Sequence, residues 1–98
     1  METRKLDVYT TMVLFIELYK HGANYVRLQF ENSNDDHYYI VIENEDLKKN
    51  KVESFDLKEI QRIVNEKVAK RNLPLIEFEN QKEVDNKTII TFKDIIGG

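Results

Sequence analysis

At 98 residues the chain has material for one hydrophobic core, and it reads as a single globular domain over residues 1–98. With 41% hydrophobic and 34% charged residues it is too apolar for a disordered chain, and a net charge of −3 denies it the positive field on which phosphate-tracking proteins rely. Having no cysteine, it has no disulfide framework, thiolate zinc site or thiol nucleophile.

The first patterned segment, Thr11 to Tyr19, fits two templates. As a strand it puts Met12, Leu14, Ile16 and Leu18 on one face and Thr11, Val13, Phe15, Glu17 and Tyr19 on the other; as a helix it is apolar almost all round. The strand sorts the polar residues better and suits the β-favouring Thr, Val, Phe, Ile and Tyr, so it is preferred. Asp7 as an N-cap and Gly22 just past the end argue for the helix. The apolar run from Met12 to Ile16 stops at Glu17, far short of the roughly 20 residues of a membrane span. Asp7, Thr10 and Thr11 interrupt the place of a signal peptide's apolar region, so a cytoplasmic location, in its own cell or a host cell, is expected.

After the turn-like Lys20 to Asn24, the alternation of Val26, Leu28 and Phe30 with Tyr25, Arg27, Gln29 and Glu31 predicts a strand. Asn32 to Asp36 reads as a turn-forming loop, and His37 to Glu43 as the next strand. Glu45 to Val52 is charged and lacks a period, which predicts a solvated connector. Leu57, Ile60, Ile63, Val64 and Val68 form the stripe of a helix over about 57–71. Asp56 with Glu59 forms its capping box, Phe55 with Ile60 its staple, and Asn72 and Pro74 its end. Leu75 to Glu79 and Thr88 to Phe92 form a last hairpin around a polar stretch from Asn80 to Lys87, with Ile76 and Phe78 paired to Ile90 and Phe92. Leu28 to Asn32 echoes Ile76 to Asn80, a likeness that chance accounts for more simply than duplication.

The segment Phe15-Ile16-Glu17-Leu18-Tyr19, followed after a short turn by Tyr25-Val26-Arg27, a second hairpin and a helix, resembles the late hairpin region of histidine acid phosphatases. The resemblance covers about half of the chain and implies a strand over 11–19. That family's catalytic motifs are missing, since Lys20-His21-Gly22 lacks the leading arginine and no proline follows in register, so the resemblance implies no activity.

Catalytic chemistry finds little to use. Ser33 and Ser54 read as a loop residue and a helix-entry residue, and His21 and His37 as solvated residues in or beside turns with no metal-ligand spacing between them. Asp35, Asp36 and His37 lack the alternating donors of a calcium loop, and Glu43, Glu45, Asp46, Glu77 and Glu79 read as solvated carboxylates. With Gly97 and Gly98 at the end, Gly22 alone is left, too few for a phosphate-cradling loop. No enzyme activity, cofactor or metal is expected.

The expected architecture is α+β: a single antiparallel sheet with one main helix on one face, in the order β-β-β-α-β-β, with α-β-β-α-β-β as the alternative. In the first order the sheet's reverse carries Phe15, Tyr19, Tyr25, Arg27, Tyr39 and Val41 with no helix to cover it. Tyrosine with arginine is the composition of interface hot spots, so these residues are the candidate partner-binding set. The expected function is a small non-catalytic protein-interaction module of inhibitor or adaptor type, binding a protein partner or, as a homodimer, a second copy of itself. Single-stranded nucleic acid stacked on the tyrosines is disfavoured by Glu17, Glu31, Glu43 and Glu77, and a small hydrolase using carboxylates is the remaining alternative.

Overall fold

The computed structural model describes residues 6–29 and 37–95, and the predicted readings of Phe30 to Asp36 and of Gly97 and Gly98 lie outside them. The elements run α1 (Val8–Lys20), β1 (Val26–Gln29), β2 (His37–Glu43), α2 (Asn44–Lys49), α3 (Leu57–Ala69), β3 (Leu75–Val84) and β4 (Lys87–Ile95). The four strands form one antiparallel sheet in the order β1-β2-β4-β3, so the α+β class and the single sheet are as expected. Within that class the chain takes the alternative order, with a short extra helix.

The strand over 11–19 is corrected to a helix. Thr10, Val13, Leu14, Glu17 and Leu18 are buried at the spacing of one helical face. Met12, Ile16 and Tyr19 fill positions where a typical surface helix is polar, and this blurs the period. Local chemistry agrees with the helix: the Asp7 carboxylate accepts from Tyr9 N–H at 2.8 Å, and beyond Lys20 the chain turns at Gly22, whose φ is 103°. The Ala23 N–H donates back to Leu18 C=O at 2.9 Å, the six-to-one bond that closes a helix through a left-handed residue. α2 and α3 end with the same bond, Val52 to Leu47 and Leu73 to Val68, through Lys51 and Asn72, each with φ of 58°.

Two further expectations change. Glu45 to Val52 holds α2, whose acidic first turn (Glu45, Asp46) and basic last turn (Lys48, Lys49) complement the helix dipole while Leu47 anchors it in the core. The polar stretch from Asn80 to Lys87 is largely strand. Asp85 and Asn86, both at positive φ, make the two-residue turn that lets β3 and β4 extend as one long hairpin. Phe78 faces Phe92 as expected, whereas Ile76 stands opposite Asp94 because the register differs from the expected one. The Asp56 cap forms, accepting from Glu59 N–H at 3.2 Å, while the Glu59 side chain turns to Arg62 instead of completing the box.

Both long helices lie on one face of the sheet. Val13, Leu14 and Leu18 of α1 and Ile60, Val64 and Val68 of α3 share a core with Tyr38, Ile40, Ile42, Ile76, Ile90 and Phe92. The helices run antiparallel: the Arg71 guanidinium, just past the end of α3, sits 4.1 Å over the ring of Tyr9 in the first turn of α1. Among the described residues the opposite face of the sheet therefore carries no helix, although the segment expected to supply its first strand is helical. Among the described residues no helix is long and apolar enough to cross a membrane.

The strand order reads the same from either edge once the halves are exchanged, and at the middle Tyr39 of β2 pairs with Thr91 of β4. α1-β1-β2 and α3-β3-β4 are thus two copies of one unit, related by an approximate twofold through that pair. The helix-closing bonds of α1 and α3 lie 50 positions apart, which matches Val26 with Ile76 and Leu28 with Phe78. The sequence echo of Leu28 with Ile76 is two residues out of step with this structural repeat.

Candidate functional site

The two edges of the sheet are finished differently. On β3, the Asn65 side chain of α3 accepts from Ile76 N–H and donates to Ile76 C=O, both at 2.9 Å, and Gln61 Oε1 accepts from Phe78 N–H at 2.8 Å. The outward N–H and C=O of Ile76 and the N–H of Phe78, in the first half of β3, are therefore spent on α3. Glu79 bulges from the same strand between Phe78 and Asn80 and breaks its pairing register.

Hydrogen-bond alternation carries the same orientation to β1. Phe78 points its N–H away from β4, so Phe92 directs its main-chain groups to β2; Ile90 and Ile40 then bond each other, and Leu28, opposite Ile40, points outward. Val26, two residues away, does the same. Fifty positions before Asn65 and Gln61 stand Phe15 and Thr11. Phe15 has no polar group to offer, and the Thr11 hydroxyl is used within its own helix, donating to Asp7 C=O at 3.0 Å. No group among the described residues bonds the outward N–H and C=O of Val26 and Leu28. β1 is an open edge.

Apolar grooves flank it on both sides. On the helix side Phe15, Ile16, Tyr19, Ala23, Asn24 and Val26 line a space of about 280 Å³. On the helix-free side Asn24, Tyr25, Val26, Arg27, Val41 and Glu43 line another of about 440 Å³. Tyr19 and Tyr25 are 64% and 76% exposed, the two most accessible rings in the described chain.

The segment entering this edge is held from below. Asp46, expected to be solvated, is buried, and its Oδ2 accepts from the N–H groups of Asn24 (2.7 Å) and Tyr25 (3.2 Å). Asn50 Nδ2 donates to Gly22 C=O at 2.8 Å, and a Cβ on Gly22 would stand only 2.4 Å from Val52 Cγ2. α2 thus clamps the turn that presents Asn24 and Tyr25, a role invisible in its aperiodic sequence.

The six candidate residues separate into three places. Phe15 and Tyr19 sit on α1 and not on the sheet, a correction that follows from the helical 11–19 segment. Tyr25 lies just before β1. Arg27, Tyr39 and Val41 are on the helix-free face, where Val41 stands opposite both Arg27 and Ile89, and Tyr39 opposite Thr91. Five of the six border one of the two grooves or the open edge between them, and Tyr39 extends the face toward β4. Ile16, Ala23, Asn24 and Val26 complete the site; the exposed Ile16 on a helix is the sequence signal that would have found it.

Charges here are paired locally. Arg27 meets Glu43 at 3.6 Å, and farther along the same face His37 Nε2 lies 2.9 Å from Glu79 Oε1, with Lys93 at 3.7 Å from that oxygen. Buried Glu17 is met by Lys20 at 3.4 Å and His21 at 3.7 Å. Glu59 has its carboxyl held below the ordinary value by its hydrogen bond to Arg62, on the solvent side of α3. Among the described residues no three metal-ligating side chains gather. Compared with known protein families, characterised proteins and solved structures, the chain finds no match.

Proposed function

We propose that this chain is a non-catalytic protein-interaction domain that accepts an extended segment of a partner at the β1 edge. The observation that carries the reading is the contrast between edges: α3 occupies the Ile76 and Phe78 groups of β3 with Asn65 and Gln61, whereas α1 offers Phe15 at the corresponding place and no described residue bonds the outward groups of Val26 and Leu28. Strand addition satisfies such groups with main-chain hydrogen bonds, while alternate side chains of the incoming segment enter pockets on either side. The two grooves supply those pockets, one above the edge and one below.

The test is a randomised peptide library panned against the dilute chain. Recovered binders should slow hydrogen exchange at the Val26 and Leu28 amides and lose binding to Val26→Pro. That substitution deletes an outward N–H the ladder does not use, which an edge strand tolerates. Binders that leave both amides exchanging and ignore Val26→Pro would refute edge addition.

A further inference from the structure

Resting on that reading, we propose that the segment added at β1 is β1 of a second copy of this chain, paired antiparallel with Val26 opposite Val26 of the other copy. Isologous pairing of this kind uses the same edge twice and needs it to be self-complementary. Because Val26 and Leu28 carry the outward groups, the dyad of a twofold register falls on one of them or on Arg27 between them. A dyad at Arg27 sets the two guanidinium groups in a non-hydrogen-bonded pair, with Cα atoms about 4.5 Å apart, a repulsive arrangement. A dyad at Leu28 moves the grooves of the two copies apart, since both grooves are built around Asn24 and Val26.

A dyad at Val26 has neither fault, and its main-chain bonding is centred on the Val26 pair, since Leu28 then stands opposite Asn24, whose N–H is held by Asp46. It places Tyr25 of each copy opposite Arg27 of the other, so an exposed ring meets an exposed cation twice over the helix-free face. On the helix face it brings the apolar grooves lined by Phe15, Ile16 and Tyr19 to the dyad from both sides. The product is one continuous antiparallel sheet whose two outer edges are both β3, occupied at Ile76 and Phe78 by Asn65 and Gln61 and broken in register at Glu79. An edge that is partly occupied and bulged opposes further strand addition, so the assembly closes as a dimer and does not extend into a fibre.

Sedimentation of the unmodified chain should give twice the 11.7 kDa chain mass at high concentration and half that value on dilution, with the dimer lost in Val26→Pro and in Arg27→Glu. Circular dichroism of each variant shows whether it keeps the fold; loss of the dimer in a folded variant is the expected result. The register has its own readout because the chain lacks cysteine: Tyr25→Cys mixed with Arg27→Cys should form a disulfide-linked dimer under mild oxidation, and Arg27→Cys alone should not. A chain that stays monomeric yet binds peptides at β1 overturns the second copy and leaves edge addition standing. A monomer that binds no peptide overturns both. A dimer that survives Val26→Pro and Arg27→Glu, or that cross-links through Arg27→Cys alone, overturns the proposed pairing.

Discussion

Gly22 shows how much of this surface rests on one atom that is missing. Its φ of 103° is a conformation that side chains rarely adopt, and the Val52 methyl occupies the space a Cβ would need. Gly22→Ala should therefore cost more than about 1 kcal/mol in urea denaturation, combining backbone strain with displacement of Val52. The same change should speed hydrogen exchange at Asn24 and Tyr25, whose amides are tied to Asp46 on the other side of the clamp. An alanine variant with unaltered stability and exchange would show that α2 does not hold the turn. Asn72 and Lys51 do the same conformational work as Gly22 at the ends of α3 and α2, so glycine is demanded at 22 by the close packing of Val52 more than by the turn alone.

Among the elements, α1 and α3 are built alike and spend their lateral side chains differently. α3 uses Asn65 as a substitute strand for Ile76, an arrangement that occupies both main-chain groups of the β3 edge at that point. Asn65→Ala should destabilise the fold by about 1–3 kcal/mol in chemical denaturation, since it strands two main-chain groups near the core. It should also add a concentration-dependent species larger than the dimer in sedimentation, because a second edge is then open. If Asn65→Ala lost stability without any new association, the seal would be a matter of packing only. α1 has Phe15 at the corresponding place, and its exposed Met12, Ile16 and Tyr19 add apolar surface to a helix that already buries a full stripe. An apolar stripe of that kind beside an open edge is what a partner's side chains can use.

At the scale of the molecule, the twofold repeat concentrates packing at its axis. Ile40 and Ile90 face each other across β2 and β4, both without accessible surface, with Val64 and Leu14 in the same core. Ile40→Ala and Ile90→Ala should each cost about 2–5 kcal/mol in urea denaturation, because both side chains are fully buried beside the axis. Their double variant should depart from additivity, as residues in contact do. A small cost at either site would mean that the core there collapses around the lost side chain. The halves differ visibly in their connections: α2 follows β2 and braces the α1–β1 turn.

Much of the architecture could be read along the chain because it depends on near neighbours. The α3 stripe, its Asp56 cap, the left-handed Asn72 and the alternation from His37 to Glu43 are local patterns, and each appears in the fold where it was expected. The Asp7 cap and Gly22 also announced α1, and were outweighed because Met12, Ile16 and Tyr19 put apolar residues where a helix period requires polar ones. The same outward-facing residues that hid the helix belong to the surface proposed to bind, so one physical cause lies behind both the misreading and the site. What no local pattern could reveal is the placement of α1 beside α3 on a single face, the sealing of one edge and the exposure of the other. Those depend on contacts between residues far apart in the chain, such as Asp46 with Asn24 and Ile40 with Ile90, whose energies exist only after the layers have packed.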